Sequence, residues 1–321
     1  MANEFETAGQ VATGIRRRAL ADLRAGENWG RWGADDEAGA LNLLTPDRVR
    51  QAAALVQDGT TVSLSADFPV QLAPDNLYPA HHMMVMAGDA RKDHGVPGLE
   101  TALDYIGINY HGMACSHIDA LCHVFVDGRM YNDRDALEVK STGARHNDIM
   151  VARDGIVGRG VLLDVPGLRG VDWLEPDTVI EPDELVGCEE RQGVTLGEGD
   201  ILLVATGRFE RRAVHGAWDT QTVGLAGLSA RCAPLLHERG IAVLCGDGVN
   251  DPLPSATIEG WAMPLHMCCL VGMGVHLFDN LDLSGVARAC RQRQRWEFMF
   301  CAAPLRVVGG TGSPVNPIAM F

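Results

Sequence analysis

The strongest constraint on how this chain folds is an alternation along its second half. Strand-like apolar runs, GVLLDV (160–165), DILLVAT (200–206), IAVLCGD (241–247) and RWEFMFCAAPLRV (295–307), are separated by segments with helical signals. Those segments are EPDELVGCEERQG (181–193), LSARCAPLLHERG (228–240) and LSGVARACRQRQ (283–294). The clearest unit is LSARCAPLLHERGIAVLCGD, where Ser229 is placed to cap a helix, Gly240 to end it, and a strand follows. The alternation predicts an α/β protein with a central mixed sheet flanked by helices. No linker-like composition interrupts the 321 residues, and a single domain is expected.

The first sixty residues read differently, as helices joined by loops. RRRALADLRAG (16–26) carries an apolar stripe, and TPDRVRQAAALVQDG (45–59) offers Thr45 as N-cap, Pro46 at the first helical position and Gly59 as the stop. TVSLSADF (61–68) alternates as a strand does, and residues 70–110 read as irregular. Hence the expected division is a helical N-terminal extension over 1–60 and a main domain over 61–321.

Charge and cysteine usage restrict the partners. A formal net charge of −15 disfavours phosphate backbones and anionic lipid, so nucleic-acid and membrane roles are excluded in favour of a small-molecule substrate. The nine cysteines lie in apolar surroundings without disulfide or CxxC spacing, which reads as reduced, buried thiols. With no signal-peptide pattern in MANEFETAGQ and no long apolar window, the expected location is cytoplasmic.

Chemistry concentrates in HGMACSHIDALCHVF (111–125). In an extended segment His117 and Asp119 point to one face, where imidazole and carboxylate suit zinc or manganese. His123 follows Asp119 by four residues, and a helical turn there would bring it onto the same face. The competing reading is a histidine with a local hydrogen-bond partner. Several ionisable groups among Ala, Leu, Cys and Val are costly to bury unpaired, however. A second group lies downstream: GDGVNDPLPS (246–255), Glu259, His266, His276 and Asp279. PLHMCCLVGMGVHLFDNLDL reads as a buried helix, a glycine turn and a strand, too apolar to leave His266 solvated. The pair His81–His82 beside Met83, Met84 and Met86 is a candidate pocket lining, with a packed loop as the plainer reading; the loop bearing His215 and Trp218 is a second such candidate. No GxSxG nucleophile elbow is present.

At these two clusters the chain resembles the cyclase-like family of metal hydrolases, which includes bacterial kynurenine formamidase and isatin hydrolase. The family signature is H-x-G-T-H-x-D-x-P-x-H, followed much later by a ligand histidine and a ligand glutamate before Asn-Leu-x-Leu. Ser116–His123 matches its latter half, and His266 with Asp279-Asn280-Leu281-Asp282-Leu283 falls at the second ligand pair. The resemblance runs from about Thr61 to the C-terminus. Met113 stands at the first ligand histidine, with His111 two residues earlier as a substitute if the loop is shifted. Ser116 replaces threonine, the proline is missing and Asp279 replaces glutamate. The resemblance implies a swivelling β/β/α-like fold, and one divalent ion, Zn or Mn, held by His117, Asp119, His266 and Asp279. It implies His123 as general acid/base and hydrolysis of a formamide, cyclic amide or lactone by activated water. The alternatives are a ring-closing cyclase or dehydratase, and a binding homologue without catalysis. It also implies a homodimer or higher homo-oligomer. Apolar stretches around Trp29 and Trp32, at 82–86 and at 317–321 are candidates for burial in such an interface.

Overall fold

The structure, a computed structural model, describes residues 27–89, 98–254, 258 and 261–321. Strands used below are β1 (Thr61–Ser63), β2 (His81–Met86), β3 (Leu103–Gly107), β4 (His117–Asp119), β5 (Ile156–Asp164), β6 (Ile201–Ala205), β7 (Val243–Gly246), β8 (His276–Asp279), β9 (Glu297–Ala302), β10 (Gly312–Pro314) and β11 (Ile318–Met320). Helices are α1 (Pro46–Ala53), α2 (Val165–Arg169), α3 (Pro182–Gln192), α4 (Arg208–His215), α5 (Ala233–Arg239), α6 (Pro264–His266, continued by π-helical turns over Met267–Met273) and α7 (Ser284–Arg293).

Nine strands form one mixed sheet in the order β1-β11-β9-β5-β6-β7-β8-β4-β10. The four central strands, β5 to β8, run parallel. The outer strands add antiparallel on both sides. Burial follows this division. Every residue of β6, β7 and β8 is buried, because helices in the crossovers of a parallel sheet cover both faces. Antiparallel β9 alternates instead, burying Phe298, Phe300 and Ala302 and leaving the residues between them half-exposed. The expected α/β fold with a central mixed sheet is therefore the observed one.

Local signals account for most boundaries. Glu184 accepts from the Glu181 amide at 3.0 Å at the start of α3, and Gly193 ends it in the left-handed region. Thr45 caps α1, as expected, but the helix stops at Ala53, well before Gly59. The amides of Asp58 and Gly59 instead bond the Phe321 carbonyl at 3.1 and 2.8 Å, so the C-terminal residue draws this segment out of the helical path. Residues 16–26, expected to be helical, lie outside the described residues, as does Glu259.

Two expectations change. Residues 81–107 are not simply irregular: β2 and β3 form a hairpin, and His82 Nε2 lies 2.6 Å from Asp104 Oδ2. The tail at 317–321 packs on its own chain: β11 joins the sheet, and the ring of fully buried Phe321 lies 5.3 Å from that of Phe298. None of the nine cysteines is paired, and seven are buried. No helix among the described residues is long and apolar enough to cross a membrane.

His276 opens β8 with no exposure, and neither ring nitrogen has a hydrogen-bond partner. Burial pushes its pKa down from 6.5 to about 4, against the attraction of Asp119 and Asp36. The native ring is therefore neutral where the unfolded one takes a proton. The resulting stabilisation is present above 6.5 and lost as pH falls toward 4. From the two pKa values the loss between pH 7 and pH 5 is about 2 kcal/mol. Urea unfolding at both pH values should show a smaller decline for His276→Leu than for the wild type. Equal declines would show that His276 does not set this dependence.

Candidate metal centre

β4 brings His117 and Asp119 onto one face of the sheet with Ile118 on the other, the arrangement expected of an extended triplet. Antiparallel register sets Asp279, at the end of β8, directly opposite His117. The helix α6 contributes His266. His123 arrives by a different route from the helical turn expected. The chain reverses just after β4, with the His123 amide bonding the Ala120 carbonyl at 2.9 Å, and His123 Nε2 ends 4.0 Å from Asp119 Oδ2.

Asp119 is the focus. It is 1% exposed, and neither carboxylate oxygen has an aligned hydrogen-bond partner. Around Oδ1 stand His117 Nε2 at 3.4 Å and His111 Nδ1 at 2.9 Å, the latter close but not aligned to donate. Around Oδ2 stands His266 Nε2 at 3.6 Å, itself 3.4 Å from Asp279 Oδ2. Zinc bonds of about 2.0–2.2 Å in tetrahedral array place neighbouring donor atoms about 3.3–3.6 Å apart, so most of these separations match those of donors sharing one ion. Two triads result, His111–His117–Asp119 and Asp119–His266–Asp279, each with its donor atoms within 4.8 Å of one another. Asp119 is common to both; of the other residues expected as ligands, His117 falls in the first group and His266 and Asp279 in the second. His111, two residues before Met113, stands in the first of these groups.

Each imidazole is held by its outward nitrogen. His117 Nδ1 pairs with the Cys115 carbonyl at 2.8 Å, His266 Nδ1 with Asp251 Oδ2 at 2.7 Å, and His111 Nε2 with Thr311 Oγ1 at 2.9 Å. The inward nitrogens are left for a common target, the orientation that second-shell partners give to metal-bound histidine. The electrostatics agree. Burial opposes ionisation of Asp119, but His111 and His117 hold it well below the ordinary carboxylate value. Burial pulls His266 down, and Asp279 with Asp251 raises it well above the usual histidine value. For His117 burial is likewise outweighed by Asp119 and Asp279. Buried oxygens without aligned donors, ringed by imidazole nitrogens, fit a divalent ion of the zinc or manganese type.

Several supporting residues had no role assigned from the sequence, although Asp247, Asn250 and Asp251 lie in the downstream segment singled out there. The loop after β7 distributes its polar side chains. Asp247 accepts from the Thr206 and Gly207 amides at 2.9 Å each, Asn250 Nδ2 bonds Asp279 Oδ1 at 2.6 Å, and Asp251 accepts from the amides of Leu265 and His266 at 2.8 and 2.9 Å. Asn250 and Asn280 sit at positive φ, tolerated by asparagine. Asn280 Nδ2 donates to the Gly112 and Cys115 carbonyls at 2.7 and 3.2 Å. Arg208, 4% exposed, bonds the Asp247 carbonyl at 3.2 Å and also Asn280 Oδ1 and the Met113 carbonyl. Together these two side chains hold the 111–116 loop in the path that brings His111 inward.

A cavity of about 360 Å³ opens on the cluster, walled by Met113, Val124, Val249, Ala262, Met263 and Met267. The ring of His123 borders it, stacked on His111 at 3.8 Å with 2° between the planes, and burial pushes its pKa down to about 4. His81 and His82 do not line this cavity, nor do His215 and Trp218.

The residues 60–250 match the cyclase family model, and the chain belongs to that family. A crystal structure of a novel cyclase superimposes with a TM-score of 0.83 at 29% identity, covering 92% of this chain and 99% of that one. Isatin hydrolase A from Labrenzia aggregata, bound to benzyl benzoate, gives 0.56 at 21% identity over 84% and 96%. A potential metal-dependent hydrolase with cyclase activity gives 0.50 at 17% over 81% and 96%. At these lower identities the likeness is one of fold. No curated protein matches the chain.

Zinc or manganese at about a hundredfold excess over its dissociation constant should raise the unfolding free energy by about 2.7 kcal/mol for each ion bound, through mass action. Asp119→Asn should abolish that increment. Urea titrations with and without metal measure both, and an undiminished increment in the variant would exclude Asp119 as a ligand.

Proposed function

We propose that the chain is a metal-dependent hydrolase of a small amide, formamide, cyclic amide or lactone. The observation that carries this reading is the buried Asp119 carboxylate, unpartnered at both oxygens and shared between two imidazole-bearing triads beside an apolar cavity. Fold-level likeness to isatin hydrolase and to a metal-dependent hydrolase supports the same class. The ligands in this reading are His117, Asp119, His266 and Asp279, joined by His111. The one-ion expectation rested on Met113 lacking donor character, and with His111 in that role we propose two divalent ions, zinc or manganese.

When bound, such ions acidify water and polarise a carbonyl. The chain's own residues supply the rest. The Met-lined wall seats an uncharged body, and the cavity's volume suits a small molecule rather than a polymer. His123, with its ring at the cavity edge, is placed to accept the proton of the attacking water and return it to the leaving nitrogen or oxygen.

His123→Ala should keep its metal and lose about 10²–10⁴-fold in turnover, the range for a positioned proton carrier. His111→Ala should drop from two equivalents of metal to one. Elemental analysis and a panel of amides and lactones in heavy-oxygen water check both. Label in the product marks hydrolysis, and an unlabelled ring-closed product would favour the cyclase alternative. Normal turnover in metal-replete His123→Ala would remove that residue from the mechanism.

We also propose a homodimer or higher homo-oligomer. The hairpin β2–β3 presents Met83, Met84, Val85, Tyr105 and Ile106 to solvent on both of its faces, and a two-stranded hairpin is marginal without cover. Light scattering at low micromolar concentration should give a multiple of the chain mass. A mass of one chain with full activity would overturn the oligomer.

A further inference from the structure

The helix that carries His266 ends far from where it begins to matter. Four consecutive carbonyls at its C-terminal end, those of residues 271 to 274, would be left without helical partners, as the last carbonyls of any helix are. All four are taken up by one distant segment. Trp29 Nε1 donates to Val271 O at 2.7 Å, the Asn28 amide to Gly272 O at 3.0 Å, Asn28 Nδ2 to Met273 O at 2.9 Å, and the Ala40 amide to Gly274 O at 2.8 Å. The approach at Gly39 is so close that a Cβ there would lie 2.2 Å from Gly274 O. At the opposite end Asp251 holds the amides of Leu265 and His266 and the His266 ring. His266 therefore stands on a helix pinned at one end by the β7 loop and at the other by residues 28–40.

Trp29 makes a second connection. It packs against a small buried cluster of Val126, Trp261 and Val271, against which Val124 and Met267 pack as well. Val124 and Met267 are walls of the cavity. The same residue thus braces the end of the His266 helix and backs the surface against which a substrate would lie. The π-helical turns sharpen the dependence. Wide turns of this kind are rare and frequently found at functional sites.

We infer that Asn28 and Trp29 are positioning residues of the metal centre, setting the placement of His266 and the depth of the cavity wall from outside the family-matched region. The inference rests on the reading of Asp119, His266 and Asp279 as metal ligands. A segment of purely structural value would instead lower stability and leave the ligand geometry alone.

Cobalt(II) distinguishes the two, because its visible absorption reports ligand geometry directly and needs no substrate. The full chain is titrated with Co²⁺ as wild type, Trp29→Phe, Trp29→Ala, Asn28→Ala and Trp32→Ala. Trp29→Phe keeps an aromatic ring in the cluster while removing the N–H and part of the indole's bulk, and Trp32→Ala removes a half-buried tryptophan of the same segment that packs on the main core. We expect Trp29→Phe and Asn28→Ala to bind Co²⁺ roughly tenfold more weakly with a shifted band, in the lower range for loss of a residue that orients a ligand. Trp29→Ala should be weaker still, and Trp32→Ala unchanged. Wild-type affinity and spectrum in Trp29→Phe and Asn28→Ala would overturn the inference, whatever their melting temperatures and whether or not Trp29→Ala folds. Wild-type protein that takes up no cobalt would overturn the metal reading and the inference with it, a result separate from the first.

Discussion

A carboxylate buried without a hydrogen-bond donor is among the least tolerable groups in a protein interior, and the architecture around Asp119 is arranged to make it tolerable. Four imidazoles surround it, from β4, from the turn after it, from the loop before it and from α6. Three of them are oriented by a partner on the outward nitrogen, so none is free to turn away. The polar network extends outward through Asp251, Thr311 and the Cys115 carbonyl before reaching ordinary backbone. A cation at the centre would satisfy both oxygens at once, which no neutral donor in the structure does.

The sheet makes this possible by placing chain ends together. The site forms where the parallel centre gives way to the antiparallel edge, at the carboxyl ends of β7 and β8 and beside β4, a location typical of ligand sites in open α/β sheets. The loop following β7 is the organiser. Within five residues it fixes the Thr206–Arg208 turn through Asp247, Asp279 through Asn250, and His266 through Asp251. Arg208 is the counterpart on the other side: a buried guanidinium that spends its donors on carbonyl oxygens of the site loops rather than on a carboxylate partner. Burial lowers its pKa to about 10, which leaves it charged at neutral pH.

The N-terminal segment belongs to the same arrangement. Glu37 bonds His146 at 2.6 Å and the Asn147 amide at 3.0 Å, while Tyr131 donates to Asp36 at 3.0 Å. These contacts fasten residues 120–150 from outside, as Asn28 and Trp29 fasten α6. Hydrogen bonds join the segment to the site beside the packing of Trp29, Ala40 and Leu43 on the core, and such hydrogen-bond partners do not show in hydrophobic patterning.

What the amino-acid sequence determined by itself is whatever depends on near neighbours along the chain. Apolar runs specified β5, β6, β7 and β9, caps and glycines bounded α3 and α5, and the two-residue period of an extended strand put His117 and Asp119 on one face. The pairing of His117 with Asp279, by contrast, is a register across 162 positions, and no local signal encodes it. Glycine turns and aspartate-rich loops look alike in sequence whether they merely turn or, as with Asp247, Asn250 and Asp251, hold the side chains of a site. His111 was legible only as a substitute conditional on a shifted loop, because its inward path depends on Arg208 and Asn280 bonding the backbone of the loop it begins. His123 reached the centre by a tight turn instead of a helix, since the spacing of four is satisfied by either. Tertiary structure decided these points because each depends on hydrogen bonds between segments far apart in the chain, whose partners are chosen by the sheet's topology and not by their neighbours in sequence.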